Sequence, residues 1–225
     1  MLSDVQTLVI DLVRDDAGKI AVAERDRAIA AAVERYSKDR PREIAEDLTP
    51  TSAQILPLPA AWEADFSTLL SLEYPIGTVP PVLLDQERYG LYRSPSGLVI
   101  QLLDAVAVAA ANVRATYTYK HVLSTIADSI PLGDRELLAC FAAAILCEQL
   151  AAFYSGGTDS TIQADSVENK SKSADYATRG RTLRKRYLDE LGVDDKRNIS
   201  AGTVVNWNAK DSLRQDRLLH PAIYR

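Results

Sequence analysis

The feature that most constrains this chain is an apolar run inside the segment from Arg135 to Tyr154. Apolar residues stand on nearly every side of a helix drawn through it, and alanine fills positions 139, 142, 143, 144, 151 and 152. Such a helix is buried on most sides, and its small side chains let neighbouring helices approach closely. The continuous stretch Leu137 to Phe153 contains Glu148 and falls short of the roughly 20 residues that span a bilayer. The run therefore predicts a central core helix.

Two shorter helices are predicted at the N-terminal end. Ser3 and Asp4 offer an N-cap to the first, whose apolar residues recur at helical spacing as Val5, Leu8, Val9 and Leu12. The second runs from Ala21 to Ser37 and has one apolar face: Ala28, Ile29, Ala32, Val33 and Tyr36. Pro41 stops it because proline cannot continue a helix. The first 40 residues therefore predict an αα-hairpin.

A long charged helix is predicted towards the C-terminal end. It begins at Asp165 or Ser166, which can act as an N-cap, and it ends at Gly192. One apolar stripe follows its length: Tyr176, Gly180, Leu183, Tyr187 and Leu191. Lysine and arginine residues occupy its other surfaces. This helix is expected to pack its stripe on the core and to expose its cations.

The middle of the chain, from Glu43 to about Lys120, has a different pattern of residues. Seven prolines interrupt it and no helical period is present, so short strands are favoured. Side chains alternate most clearly between Asn112 and Lys120. The other predicted strands are Ala53 to Leu58, Leu69 to Tyr74, Tyr89 to Tyr92 and Leu98 to Leu103, with a hairpin turn at Ser94 to Gly97 and one helical turn at Trp62 to Phe66.

These patterns predict an α+β fold. The expected architecture is a helical bundle, made of an N-terminal helical hairpin and two long C-terminal helices, with a β-rich insert of short strands and an extended C-terminal arm. The corresponding segments are 1–42 for the hairpin, 43–121 for the insert, 122–192 for the helical core and 193–225 for the arm. At 225 residues and 47% hydrophobic content, the chain can bury at least one sizeable core.

Known catalytic, cofactor and metal motifs do not occur in the sequence. Cys140 and Cys147 stand seven residues apart in the apolar run and are predicted to be small core residues. The only histidines, His121 and His220, lie far from them. Gly156 to Thr161 joins two helices but lacks the Gly-Lys-Ser/Thr ending of a phosphate loop. We therefore predict no enzymatic activity, no cofactor and no metal site.

Charge is distributed unevenly along the chain. The net charge is −5, but residues 166–225 carry 13 basic and 8 acidic side chains. Five residues of the predicted last helix are candidates for contact with phosphate: Lys170, Lys172, Arg179, Arg181 and Lys185. Such contact would be independent of base sequence because no reading helix follows. The alternative interpretation is an ordinary solvated helix face.

The last 28 residues, Asn198 to Arg225, show no periodic apolar pattern and should not fold alone. They are nevertheless too rich in aromatic, leucine and arginine residues for a solvating linker. The predicted anchors of a partner interface are Trp207, Leu213, Arg214, Arg217, Leu218, Leu219, Tyr224 and Arg225. The alternative is that this tail packs back on its own subunit.

Several segments together resemble the head-to-tail adaptor (connector) proteins of tailed bacteriophages. They are Ala32 to Pro41, Ile55 to Pro59 with the following Trp62 and Phe66, Leu72 to Pro75, Leu146 to Tyr154 and the closing Val205 to Arg225. The resemblance covers most of the chain and depends on these short segments and on general texture, not on one diagnostic motif.

The resemblance implies a structural protein of the virion, assembled in the host bacterial cytoplasm. Its subunits would form a ring, usually of twelve copies, beneath the portal and above a downstream neck or tail connector protein. The C-terminal arm would reach the portal, and the ring would line the channel and contact genomic DNA non-specifically. No membrane is implied, and no secretory signal is predicted, because the first residues lack a basic n-region and Asp11 interrupts the apolar stretch Leu8 to Val13. The alternative is a helical DNA-binding or regulatory protein that uses the basic helix 166–191.

Overall fold

Helices and short antiparallel strands make up a mixed α+β fold, as predicted. The computed structural model describes residues 2–15, 17–52, 54–95, 97–103, 112–156 and 165–193, with the backbone alone for 165–171. Its α-helices are α1 (Leu2–Val13), α2 (Val22–Asp39), α3 (Arg135–Gly156) and α4 (Asp165–Leu191). Its strands are β1 (Arg42–Leu48), β2 (Ile55–Leu56), β3 (Leu69–Glu73), β4 (Tyr89–Ser94), β5 (Gly97–Leu102) and β6 (Val113–Tyr119). The described residues belong to one compact unit, Met1–Val193.

Helix α3 is the centre of the helical core. Helices α1, α2 and α4 each pack against it, and α1 and α2 contact α3 more extensively than they contact each other. Cys140 and Cys147 are free thiols buried in this core, which confirms their prediction as core residues. The apolar run alone was expected to be too short to span a bilayer. Together with the turn before it, however, α3 is long and apolar enough to cross a membrane by length and composition. More than half of its most apolar 18-residue window is buried inside the protein.

The contact between α3 and α4 depends on small residues. Gly180 of α4 is buried, and a Cβ atom placed on it would lie 3.2 Å from the Ala144 carbonyl oxygen and 3.4 Å from the Cβ of Cys147. The two helix backbones therefore approach too closely for a larger side chain at this position. Leu183 and Tyr187 are also buried, so the predicted stripe of α4 faces the core.

The N-terminal helices bury the faces that their periodicity predicts. Helix α1 buries Val5, Val9 and Val13, which lie one above the other at intervals of four residues. Helix α2 begins where the Glu24 carboxylate accepts a hydrogen bond from the Ala21 backbone N–H at 2.9 Å. Its buried residues are Ala28, Ile29, Ala32, Tyr36 and Ser37. The proline at position 41 follows its last turn, and the chain then enters β1.

Two three-stranded antiparallel sheets make up the β part, with strand orders β1-β6-β3 and β2-β5-β4. Strand β6 is central in the first sheet and pairs with β1 from Arg42 opposite Tyr119 to Leu48 opposite Val113. The predicted hairpin is present, because β4 and β5 pair up to Ser94 opposite Gly97. A second hydrophobic cluster contains residues of both sheets: Leu48, Leu56, Leu72, Leu84, Tyr89, Ile100, Leu102, Val113 and Ala115.

Some predictions for the β part were wrong in detail. The sequence did not indicate β1 as a strand, because Glu43, Glu46 and Asp47 are of types that are depleted in strands. Strand β2 has two residues instead of six, since Pro57 follows it at once. The single helical turn predicted at Trp62 to Phe66 is present as a hydrogen-bonded turn shifted by one residue, because the Glu63 carbonyl accepts from Phe66 N–H at 3.1 Å and from Ser67 N–H at 2.8 Å.

Candidate functional site

The predicted DNA-facing residues of α4 lie on two separate sides of the helix. At about 100° per residue, Arg181 and Lys185 fall on one side and Lys172 and Arg179 on another, more than about 100° away. Arg181 and Lys185 are exposed and have no ion-pair partner among the described residues. Their side of α4 is directed away from the buried stripe, so these two cations face solvent. The side chain of Lys170 lies outside the described residues.

A depression between α1 and α4 brings Lys172 and Arg179 together with Arg14. Asp175 and Tyr176 complete its lining, and its volume is about 310 Å³. Arg14 directly follows α1 and has a positive φ of 50°, in the left-handed region that often ends a helix. Three cations around one acid leave the depression positively charged, which suits a phosphate group.

Arg179 also has a structural contact in this depression. Its Nη1 donates to the Val13 carbonyl oxygen at 3.0 Å, and the Tyr176 hydroxyl donates to the Arg14 carbonyl oxygen at 3.3 Å. The last carbonyls of α1 have no partner within their own helix, so α4 caps them. A cation at a helix C-terminus also interacts favourably with the helix dipole. Arg179 therefore holds α1 against α4 whether or not it contacts a ligand.

The other arginines of the basic run are paired within the subunit. Arg184 lies 2.9 Å from a carboxylate oxygen of Glu148. Arg186 lies 2.8 Å from Glu136 on α3 and 2.7 Å from Glu190 on its own helix. These two carboxylates hold the pKa of the Arg186 guanidinium above its usual range. The free positive charge of α4 is therefore smaller than its sequence suggests.

A polar cluster closes the opposite end of the helical core. The Tyr36 hydroxyl donates to the Asp134 carboxylate, which also accepts from Arg40 Nη1 at 2.7 Å. The Tyr187 hydroxyl donates to Asp39 at 2.8 Å. Burial and the adjacent carboxylates raise the pKa of both tyrosines, which therefore remain protonated. These hydroxyls serve as hydrogen-bond donors in the core, not as bases.

His121 joins the β part to the helical core. Its backbone N–H donates to Ser37 Oγ at 3.0 Å, and its Nε2 lies 2.9 Å from the Arg40 carbonyl oxygen. Its Nδ1 lies 3.1 Å from the Ser129 carbonyl oxygen and 3.2 Å from the Ser129 hydroxyl oxygen, so each ring nitrogen faces a carbonyl to which it can donate when it carries the proton. Burial lowers the pKa of the imidazole. Both ring nitrogens are thus engaged in structural contacts.

The described residues hold no cluster of three or more histidine, cysteine or acidic side chains suited to a metal ion. A mostly apolar cavity of about 210 Å³ lies beside the α1–α2 connection, and its lining includes two charged residues, Asp15 and Arg25. Burial raises the pKa of the Cys147 thiol to about 11, so this cysteine is protonated and unreactive near neutral pH. Within the described ranges, the surface offers binding features more clearly than catalytic ones.

The predicted partner-binding anchors of the tail, from Trp207 to Arg225, lie outside the described residues. Sequence reasoning missed two features near α1. Arg14 joins the cationic depression only through tertiary packing, and no local motif marks it. Ile10 and Val22 are 53% and 64% exposed beside the apolar cavity. The exposure of Ile10 could have been predicted from the sequence, because Ile10 lies outside the buried stripe of α1.

No protein-family model and no curated protein sequence matches this chain. The segments that carry the adaptor resemblance can nevertheless be located. Ala32 to Pro41 forms the second half of α2 and its end, Leu72 to Pro75 includes the end of β3, and Leu146 to Tyr154 lies within α3. The closing segment Val205 to Arg225 lies outside the described residues.

Proposed function

We propose that this chain is a structural head-to-tail adaptor of a tailed bacteriophage. Identical subunits form a ring, of twelve copies in the usual arrangement, between the portal and a downstream neck or tail connector protein. The fold assigned to this role is a helical bundle with a β-rich insert and an extended C-terminal arm. The protein acts by assembly in the virion and not by catalysis. The observation that carries the proposal is the set of adaptor-like segments in the sequence.

Two of these segments contain residues that hold the subunit together, which supports a structural role for them in this chain. Within Ala32 to Pro41, Tyr36 bonds Asp134 at the start of α3, and Ser37 and Arg40 contact His121 after β6. Within Leu146 to Tyr154, Cys147 lies against Gly180 of α4. These contacts fix how the helices and the sheets meet.

The cations of α4 support a site next to DNA. Arg181 and Lys185 project into solvent, and Lys172 and Arg14 line the positively charged depression. Phosphate contact by such residues is insensitive to base sequence, as a channel that passes a whole genome requires. An overall charge of −5 argues against a protein whose entire surface binds nucleic acid.

The decisive experiment is electron microscopy of the purified full chain, alone and with a candidate portal protein. We expect ring-shaped particles seated coaxially on the portal. Deletion of residues 200–225 should preserve the helical circular dichroism signal and abolish portal binding. As a matched control, Lys38→Glu should bind normally, since Lys38 is exposed on α2 and is not part of the deleted segment. Normal portal binding by the deletion variant would contradict the role assigned to the arm.

A second candidate function is a helical DNA-binding or regulatory protein that uses residues 166–191. The observation that favours it is the absence of acidic partners for Arg181 and Lys185 among the described residues. It predicts that the isolated subunit binds duplex DNA and that salt weakens binding steeply. Arg181→Gln with Lys185→Gln should then reduce affinity, whereas Arg93→Gln in β4 should not. A subunit that forms rings but binds no DNA at low salt excludes this candidate.

A further inference from the structure

The depression between α1 and α4 gathers three cations that have no acidic partner. Arg184 and Arg186, on the same helix, lie 2.9 Å and 2.8 Å from carboxylate oxygens of α3. Among the described residues, by contrast, no ion pair joins Arg14, Lys172 or Arg179 to an acidic group. The three charges around the depression are therefore not neutralised as those facing α3 are.

Asp175 is the acid in the lining of the depression, and it leaves the charge of Arg179 unpaired. An acid four residues before a base is a favourable helical ion-pair spacing. Arg179 instead directs Nη1 to the carbonyl oxygen of Val13 at 3.0 Å. That carbonyl is uncharged, so the guanidinium keeps its full charge. With three cations and one acid, the lining carries a net charge of +2.

The guanidinium of Arg179 is held in place before any ligand arrives. Besides its bond to Val13, its central carbon lies 5.9 Å from the centre of the Tyr176 ring. The Tyr176 ring in turn stacks on Tyr154, with 5.7 Å between ring centres. Arginine has five N–H groups, so most of them remain available for an anion. A side chain that is already ordered loses little entropy when it binds a ligand.

Arg14 occupies a position where glycine is usual. It follows α1 with a φ of 50°, and its N–H donates to the Ile10 carbonyl oxygen at 3.0 Å, which ends the helix. Glycine adopts such a φ without steric cost, whereas any other residue is strained there. Retained strain of this kind is found where a side chain has a role in binding. At this position, the role open to the arginine side chain is to add a third cation to the depression.

The size and charge of the depression suit a phosphate group. Lys172 and Arg179 are seven residues apart on α4, so they lie on nearly the same side of the helix, and Arg14 faces them from the end of α1. The volume of about 310 Å³ has room for a tetrahedral oxyanion. A net charge of +2 complements a phosphate dianion better than a carboxylate. Arginine also matches phosphate geometry, because its parallel N–H groups can bond two oxygens at once.

We propose that the α1–α4 depression binds a phosphate group, free in solution or part of a DNA backbone, between Arg14 on one side and Lys172 and Arg179 on the other. The bound group joins the end of α1 to α4 and so stabilises the helical core. This site goes beyond the adaptor function, which requires assembly with a portal but no bound anion.

Titration of inorganic phosphate into the full chain tests the site. Ionic strength is held constant with chloride salt, heats are measured by calorimetry, and acetate is titrated in parallel. We expect phosphate to bind and to raise the melting temperature, because it binds only the folded state. Acetate should do neither. Arg14→Gln with Lys172→Gln should weaken phosphate binding about tenfold or more, since it removes two charged donors.

The matched control is Arg181→Gln with Lys185→Gln. These two cations are also exposed and unpaired among the described residues, but they lie on the open side of α4, outside the depression. The control removes the same charge from the same helix, so it should bind phosphate like wild type. Equal weakening in both double variants would show that net charge alone attracts the anion, and would overturn the site.

Arg14→Gly separates binding from folding. Glycine relieves the backbone strain at a φ of 50°, so without phosphate this variant should melt at or above the wild-type temperature. Its phosphate affinity should nevertheless fall, because the third cation is gone. Wild-type phosphate affinity in this variant would exclude Arg14 from the site and overturn the proposed bridge between α1 and α4.

A short DNA duplex added to the phosphate-bound chain distinguishes the two sources of phosphate. Displacement of phosphate by the duplex assigns the site to the DNA backbone, and phosphate that stays bound assigns it to the free anion; both results support the site. No phosphate binding by wild type at low ionic strength, or equal binding of acetate, would overturn it. Portal binding by Arg14→Gln with Lys172→Gln, followed by electron microscopy, tests the adaptor function separately: normal portal binding without phosphate binding would support both proposals.

Discussion

In the helical core, one helix contacts three others, and 20 buried residues form a single cluster around it. In the β part, nine buried residues form a second cluster to which both three-stranded sheets contribute. Where Gly180 of α4 meets α3, it lies against Ala144 and Cys147, whereas leucine supplies five of the nine residues of the β cluster. The helical core therefore depends on how closely backbones approach, and the β part on how larger side chains fill the space between sheets. Substitutions should affect the two regions by different mechanisms.

The largest expected effect comes from enlarging Gly180. In Gly180→Leu the new side chain would collide with the Ala144 backbone, which cannot move without displacing α3. We expect a loss of about 3 kcal/mol in the free energy of unfolding, measured by urea denaturation. Ala174→Leu, at an exposed position on the same helix, is the matched control and should change stability by less than about 0.5 kcal/mol. Equal stabilities for the two variants would contradict the close approach of α3 and α4.

The next effect tests the polar end of the helical core. Tyr36→Phe removes a hydrogen bond from a fully buried hydroxyl to the Asp134 carboxylate. A hydrogen bond to a charged acceptor contributes about 2 kcal/mol, so we expect a loss of that size in denaturant unfolding. Tyr92→Phe removes a half-exposed hydroxyl in β4 and should have almost no effect. A stable Tyr36→Phe variant would mean that Arg40 alone satisfies Asp134.

His121 joins the β part to the helical core, and its contribution to the stability of the protein should depend on pH. Burial holds the pKa of His121 below the value of about 6.5 that histidine has in an unfolded chain. The unfolded chain therefore takes up the proton first as the pH falls. Stability from this group is fully present above about pH 6.5 and is lost as the pH decreases towards the folded-state pKa. Denaturation between pH 5 and 8 would measure this slope.

His121→Gln should be less stable than wild type at pH 8 and should show a flatter slope in that window. The only other histidine of the chain is His220, so His220→Gln is the control and should retain the wild-type slope. A wild-type slope in the His121→Gln variant would show that other groups carry the pH dependence.

The smallest expected effect lies on the surface of the first sheet. Arg114 of the central strand β6 lies 2.7 Å from Asp47 on β1 and 3.6 Å from Glu73 on β3. Because the pair with Asp47 is exposed, Arg114→Gln should destabilise the protein less than Tyr36→Phe does. The difference from wild type should disappear in about 1 M salt. An effect that salt leaves unchanged would indicate a contribution from packing of the arginine stem.

Helices were more predictable than strands in this chain, for a physical reason. Apolar residues in each helix, such as Val5 and Val9 in α1 and Ile29 in α2, belong to patterns that have the period of a helix. The buried faces of α1 and α2 could therefore be predicted from the sequence. Strand β1 is an edge strand whose acidic side chains are mostly exposed, so its pairing with β6 leaves little trace in its composition. Its place is fixed by the partner strand and not by its own sequence.

For the candidate sites as well, the sequence predicts what helical periodicity determines but not what tertiary packing determines. Helical periodicity alone separates Arg181 and Lys185 from Lys172 and Arg179, so the solvent side of α4 could be anticipated. The position of Arg14 depends on how α1 ends and on what packs beside it. Ion pairs of Arg184 and Arg186 with α3 likewise arise from tertiary contacts between distant segments. Sequence reasoning could count these cations but could not tell which remain free.

The burial of both thiols has a practical consequence for spectroscopy. Cys140 and Cys147 are the only cysteines of the chain, and burial raises the pKa of each. Maleimide reagents attack thiolates, so the native protein should leave both unlabelled near neutral pH. A single cysteine introduced at an exposed position, such as Thr182 of α4, could then carry a fluorophore without removal of the natural ones. If the proposed ring forms, energy transfer between labelled copies would report the spacing of its subunits in an otherwise native chain.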